Sequence, residues 1–185
     1  HSRRVERAPY RPGVPFLDVF EPELLDTDAY YPDGQVKEEL YELISFQMSR
    51  MHGEGVRCWD CHDTHDNGTR KQGNELCYAC HEEFQEIMAR KYKHVPATES
   101  CLNCHNSHNS KERGLLHTEL AAGCKDCHRP IKDIVEKSKV KHGAMDQGKK
   151  CANCHNPHGA NVEKLLIQLP FDQCVNCHAV DDMKD

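Results

Sequence analysis

All twelve cysteines of this 185-residue chain sit in one repeated unit, Cys-x-x-Cys-His, and none is left over. The units are Cys58-Trp59-Asp60-Cys61-His62, Cys77-Tyr78-Ala79-Cys80-His81, Cys101-Leu102-Asn103-Cys104-His105, Cys124-Lys125-Asp126-Cys127-His128, Cys151-Ala152-Asn153-Cys154-His155 and Cys174-Val175-Asn176-Cys177-His178. This is the signature of covalent c-type haem attachment. Two thiols add across the porphyrin vinyl groups, and the next residue lies under the iron as the proximal ligand. Zinc also takes Cys-x-x-Cys pairs, but it has no need of a histidine directly after the second cysteine. A disulfide framework would not repeat one spacing with a histidine after each copy, and a thioredoxin-like motif occurs once, on a βαβ unit. The sequence therefore predicts six haem c groups, with His62, His81, His105, His128, His155 and His178 as proximal ligands.

Composition agrees that something other than aliphatic side chains holds the chain together. Leu, Ile, Val and Phe make up 34 of the 185 residues and aromatic residues only 6%, below the roughly 20% aliphatic-plus-Phe content at which chains start to look disordered. Porphyrins are large apolar slabs that so few side chains can wrap, and the haem-free chain is expected not to fold. The best apolar run, Leu165-Leu166-Ile167-Gln168-Leu169, falls far short of the roughly eighteen residues of a membrane helix. A net charge of −6 disfavours nucleic acid as a partner, because counterion release needs clustered Lys and Arg. Haem propionates add roughly two negative charges each, so redox partner proteins should dock through basic patches, with salt-dependent association.

The motifs alternate. The first, third and fifth continue to a second histidine, giving His62-Asp63-Thr64-His65, His105-Asn106-Ser107-His108 and His155-Asn156-Pro157-His158, and each is preceded by another, His52, His94 or His142. The chain thus reads as a haem-free extended arm plus helix at 1–50, then a hexahaem domain, 51–185, of three tandem two-haem modules at about 51–93, 94–141 and 142–185. Prolines 9, 12, 15, 22 and 32 predict an arm without regular sheet or helix. Helices are expected at 35–51 (Val36, Leu40, Leu43, Ile44, Met48 and Met51 behind Asp33 as N-cap), 82–92 and 131–140. The fold class is mostly irregular with short α-helices, a haem-packed core and little or no β-sheet.

Six irons need six more ligands to be six-coordinate. Beyond the terminal His1, seven histidines lie outside the motifs, and the repeat selects His52, His65, His94, His108, His142 and His158 as distal ligands. His117, aligned with Ile167 of the third module, is the remaining candidate. On a helix, a histidine three residues after the proximal one shares its face and cannot reach the far side of the same iron. His65, His108 and His158 are therefore expected to serve other motifs, most simply the following one. Which irons His52, His94 and His142 serve is not readable from spacing. The methionines show no repeat register, so methionine ligation is not expected.

Over roughly residues 48–178 the chain resembles the multihaem cytochromes c with doubled Cys-x-x-Cys-His motifs. The resemblance implies extracytoplasmic electron transport, periplasmic or extracellular, through low-potential bis-histidine haems. Similar proteins donate to reductases, belong to quinone-linked membrane complexes, or polymerise into extracellular haem filaments. The reading is an electron carrier with no catalytic site. Its partners are redox proteins, other copies of itself in a filament, extracellular metal oxides or a membrane complex. The alternatives are a haem subunit of a quinone-linked or reductase complex, or a multihaem reductase with one open iron, which would need acid–base residues beside that haem. Dense thiol use belongs outside the cytosol. With no leader segment recognisable, the numbering is expected to start at a mature N-terminus.

Overall fold

A computed structural model describes residues 2–4, 11, 13–22, 30–32, 37, 42–66 and 68–183. Short helices account for about 47% of the described residues and strand for 8%, the class of short helices with little sheet that the sequence predicts. No helix among the described residues is long and apolar enough to cross a membrane. The chain forms two compact units, one of residues 1–60 with 106–116 and one of residues 61–105 with 117–185.

In the first unit, Ser2–Arg4 pairs antiparallel with Phe20–Pro22, in the register Ser2↔Pro22, Arg3↔Glu21 and Arg4↔Phe20. A short helix, Phe16–Val19, leads into the second of these strands. This corrects the expectation of an arm without regular structure. The spacing of the prolines leaves Phe16–Glu21 free of them, and Pro22 sits at the end of its strand, where proline is tolerated. Val19 and Tyr30 are buried here. Among the described residues, the helix expected over 35–51 is realised as two, Leu43–Gln47 and Arg50–Gly53. Asp33, Val36 and Leu40 lie outside the described residues. The break falls at Ser49, whose extended backbone and hydroxyl, accepting from the His52 N–H at 3.2 Å, make it the N-cap of the second helix.

The second unit has little core of its own. Among its described residues the buried apolar side chains are Ala97, Ala121 and Ala160, while Val140 is 87% exposed, Val95 62% and Phe171 61%. Burying an alanine removes little surface, at about 25 cal/mol per Å², so aliphatic packing cannot hold this unit together. Local hydrogen bonds do part of that work. Helices Glu82–Met88 and Arg129–Lys137 overlap the expected spans 82–92 and 131–140, the second shifted to start two residues earlier with Pro130 in its first turn, and the first stops before Tyr92–Lys93, which turns into a two-residue antiparallel ladder with Gly159–Ala160. There Gly159 meets bare backbone: a Cβ on it would lie 2.6 Å from the Ile87 carbonyl and 3.3 Å from that of Tyr92. Gly159→Ala should therefore destabilise the holoprotein by about 1–3 kcal/mol, read as a lowered midpoint in thermal or denaturant unfolding.

Candidate haem-binding sites

The three modules repeat in space as well as in sequence. The backbone N–H of the residue after each odd-numbered proximal histidine donates to a carbonyl downstream: Asp63 to Gly68 at 2.8 Å, Asn106 to Leu115 at 2.7 Å and Asn156 to Leu165 at 2.8 Å. The second cysteine of each of these motifs accepts from a residue just beyond, Cys61 from Arg70, Cys104 from His117 and Cys154 from Ile167, at 2.9–3.0 Å. His117 thus occupies the position that is Arg70 in one module and Ile167 in another, and its Nε2 lies 2.9 Å from the Leu102 carbonyl.

The -x-x-His histidines are set by turns, not by helices, which corrects the helical-face argument. The Asp or Asn after the proximal histidine folds its side-chain oxygen onto the N–H of the next histidine: Asp63 onto His65 at 2.8 Å, Asn106 onto His108 at 2.9 Å and Asn156 onto His158 at 3.0 Å. Short polar side chains make such turns readily and so compete with helix.

Three pairs of histidine rings then face each other across the second unit. His94 and His128 have centroids 6.0 Å apart with planes 20° from parallel. His105 and His158 are 6.1 Å apart at 12°, and His142 and His178 are 6.0 Å apart at 40°. Two imidazoles bonded to opposite sides of one metal at about 2 Å each, with ring centroids about 1 Å further out, come to about 6 Å. The observed spacings fit one iron between each pair. In each, one member is a proximal histidine and the other a distal candidate. His158 faces His105, a motif earlier in the chain, and not the following one, because its turn is pinned to the Tyr92–Lys93 ladder, where the His94 N–H donates to the His158 carbonyl at 3.3 Å.

The environment suits neutral imidazoles. Burial holds His94 below the usual histidine value, with the nearby His128 adding to this and a hydrogen bond to the Pro157 carbonyl opposing it. Burial likewise lowers His158, helped by His105 and His94. A neutral ring is the form that binds metal. Phe84 stands edge-on to His158 at 4.7 Å and to His81 at 6.1 Å. In the first unit Phe46 does the same for His52 at 5.6 Å and His108 at 6.5 Å, and Glu42 lies 3.9 Å from the His108 Nδ1. His155 donates from Nδ1 to the Lys164 carbonyl at 2.8 Å. That carbonyl is aimed by a left-handed bend, Lys164 at φ +58° and Leu165 at +60°, a conformation costing non-glycine residues about 1–2 kcal/mol each. Such a backbone acceptor orients a ligating imidazole and raises its basicity. His65 is exposed.

All twelve thiols are free, the described chain forming no disulfide. They approach one another across motifs. Cys101 is pushed up to about 11 by burial and by the adjacent Cys77, to which it is hydrogen-bonded. Cys124 is pushed up to about 11 by burial and by Cys151, and Cys104 is raised by burial and by Cys127. Asn74 fixes the first of these junctions, donating to the Ala97 carbonyl at 3.0 Å and accepting from the Cys101 N–H at 2.7 Å. At the second, Lys150 pairs with Glu119 at 3.0 Å. Among the described residues no three or more His, Cys, Asp or Glu side chains converge as a closed zinc centre requires.

One set of residues went unread in the sequence. Asn103 and Asn153, each before the second cysteine of a motif, reach back to the turn that follows a distal candidate. Asn103 donates to the Pro96 carbonyl at 2.9 Å. Asn153 donates to those of Ala144 and Gln147 at 2.8 Å and accepts from the Lys149 N–H at 3.0 Å. The recurrence of Asn in the motifs at 103, 153 and 176 was the available signal.

Paired thiols beside a histidine, repeated along a chain of short helices with imidazoles set to face one another, define a multihaem c-type cytochrome. The family model described as the doubled CXXCH motif matches residues 52–86, 94–133 and 142–183, and the chain belongs to that family. Comparison with curated proteins finds no match.

Asn153→Ala should cost about 1–3 kcal/mol, and Asn103→Ala, with fewer bonds to lose, about 0.5–1.5 kcal/mol. Denaturant unfolding of the two holoproteins side by side checks the order.

Proposed function

We propose that this haem-binding, electron-transfer cytochrome carries electrons through six bis-histidine c-type haems outside the cytoplasm, and that copies of it assemble into a filament. The observation that carries the bis-histidine reading is the set of three histidine pairs at 6.0–6.1 Å. When bound, haem supplies an iron that alternates between ferric and ferrous states. The protein's part is to hold that iron so that nothing else happens. His94 with His128, His105 with His158 and His142 with His178 would each hold one such iron and leave no place for water or substrate, and two fixed ligands would keep the geometry alike in both states.

The remaining residues set spacing and tuning. The neighbouring thiols of Cys77 with Cys101 and of Cys124 with Cys151 support an arrangement with motifs 2 and 3, and motifs 4 and 5, side by side. The chain order of these motifs is then also an order in space. The reading includes no catalytic residues. Redox proteins with basic docking patches, further copies of the chain, metal oxides or a membrane complex are its proposed partners.

Intact-mass measurement of the exported protein should give the polypeptide plus six haems. A mass short of this would sink the count. His94→Met should exchange one imidazole for a thioether, and a redox titration should then show one of the six haems at a higher potential. An unchanged titration curve would remove His94 from the ligand set. A high-spin haem that binds nitrite in the assembled wild-type protein would favour the reductase alternative.

A further inference from the structure

One dipeptide, Pro157-His158, meets the histidines of two different facing pairs. The His158 ring faces His105 at 6.1 Å. The backbone of the same dipeptide meets His94, whose ring N–H donates to the Pro157 carbonyl and whose backbone N–H donates to the His158 carbonyl at 3.3 Å. His94 in turn faces His128 at 6.0 Å. A short run of backbone therefore joins the pair His105 and His158 to the pair His94 and His128.

Asn156 sets that dipeptide. Its Oδ1 accepts from the His158 N–H at 3.0 Å and from the Gly159 N–H at 3.5 Å. The amide between Pro157 and His158 is thus held at both ends, its N–H by Asn156 and its carbonyl by the His94 ring. Hydrogen bonds in such a chain polarise one another. Pro157 narrows the geometry further, because its ring fixes φ at about −65° and disfavours the helical region for Asn156. The other modules carry Thr64 and Ser107 at that position. The same two kinds of histidine meet again in the first unit, where Phe46 stands edge-on to both His52 and His108.

We propose that Asn156 is a positioning residue for two irons at once. Its turn delivers His158 to the iron held by His105 and aims the Pro157 carbonyl at His94, the distal ligand of the iron held by His128. This rests on the bis-histidine reading above and deepens it by naming what tunes two neighbouring sites together. An acceptor on the outer N–H of a ligating imidazole raises its basicity, and a more basic ligand favours ferric over ferrous iron. A stronger acceptor at position 156 acts through the shared amide on His94 and through its own charge on His158, so both potentials should fall together. Loss of the acceptor slackens both contacts and should raise both. The effect is one of hydrogen bonding and charge alone, with no covalent bond made or broken.

The test is a spectroelectrochemical titration of holoprotein carrying Asn156→Asp, Asn156→Ala or Asn161→Asp. Asp makes the same turn in the first module, where Asp63 holds the His65 N–H at 2.8 Å, so Asn156→Asp should keep the fold. It should lower two of the six midpoint potentials while the spectrum stays low-spin, and Asn156→Ala should raise the same two. Asn161 lies one residue beyond the ladder, its Oδ1 accepting from the Lys91 N–H at 3.4 Å. Asn161→Asp therefore adds the same charge without touching the turn, and should shift the two haems less. The haem that His94→Met raises should be one of the two, and the haem that His158→Met raises the other. Asn156 variants that move one haem or none, or that move the two in the same direction for Asp as for Ala, would overturn the proposal. So would a shift in Asn161→Asp as large as that in Asn156→Asp. Should Asn156→Ala fail to accumulate, Asn156→Asp against Asn161→Asp decides the matter. An unchanged titration in both His94→Met and His158→Met would instead mark failure of the bis-histidine reading itself.

Discussion

Two imidazoles held about one metal's width apart are the contact on which the rest of this molecule depends. Three such pairs stand at 6.0–6.1 Å in the second unit, and each joins segments distant in sequence. His105 with His158, for example, ties the second module to the third. A coordinate bond at such a point would act as a cross-link. In a unit whose buried apolar side chains, among the described residues, are alanines, cross-links of this kind would stand in for a hydrophobic core. The protein contributes orientation more than mass: backbone carbonyls at His155 and His94, and the edge of Phe84 against His158.

The orientation is produced by small backbone devices used again and again. A carboxylate or amide after each odd-numbered proximal histidine makes a turn that throws the next histidine outward. A backbone bond from beyond each odd-numbered motif to its second cysteine closes the loop. Two non-glycine residues in the left-handed region, Lys164 and Leu165, bring a carbonyl to His155. Strain of this sort persists only where the surroundings over-determine it, and it concentrates at functional positions. Repeating the same devices in each module makes successive sites equivalent, and a chain of equivalent sites has a direction.

Much of this was legible from residue spacing. The six Cys-x-x-Cys-His units, the three modules and the recurring outer histidines are local patterns, and their chemistry follows from residue type alone. The helices at 82–88 and 129–137 follow from apolar periodicity. The Ser2–Arg4 and Phe20–Pro22 ladder does not, because proline content reports what a segment cannot donate and says nothing about which backbone lies opposite. The break at Ser49 was missed because an apolar stripe runs across it, while the cap that interrupts the helix depends on one hydroxyl and one N–H.

The sequence by itself determined the class of cofactor and marked the residues proposed to attach and ligate it, since thioether chemistry needs only two thiols and an imidazole within five residues. Tertiary structure alone decided which histidine faces which. His158 looks back to His105 because a two-residue ladder through Gly159, where no side chain fits, pins its turn beside His94. Ligand pairing is a relation between distant segments, set by packing and backbone hydrogen bonds that no local spacing encodes.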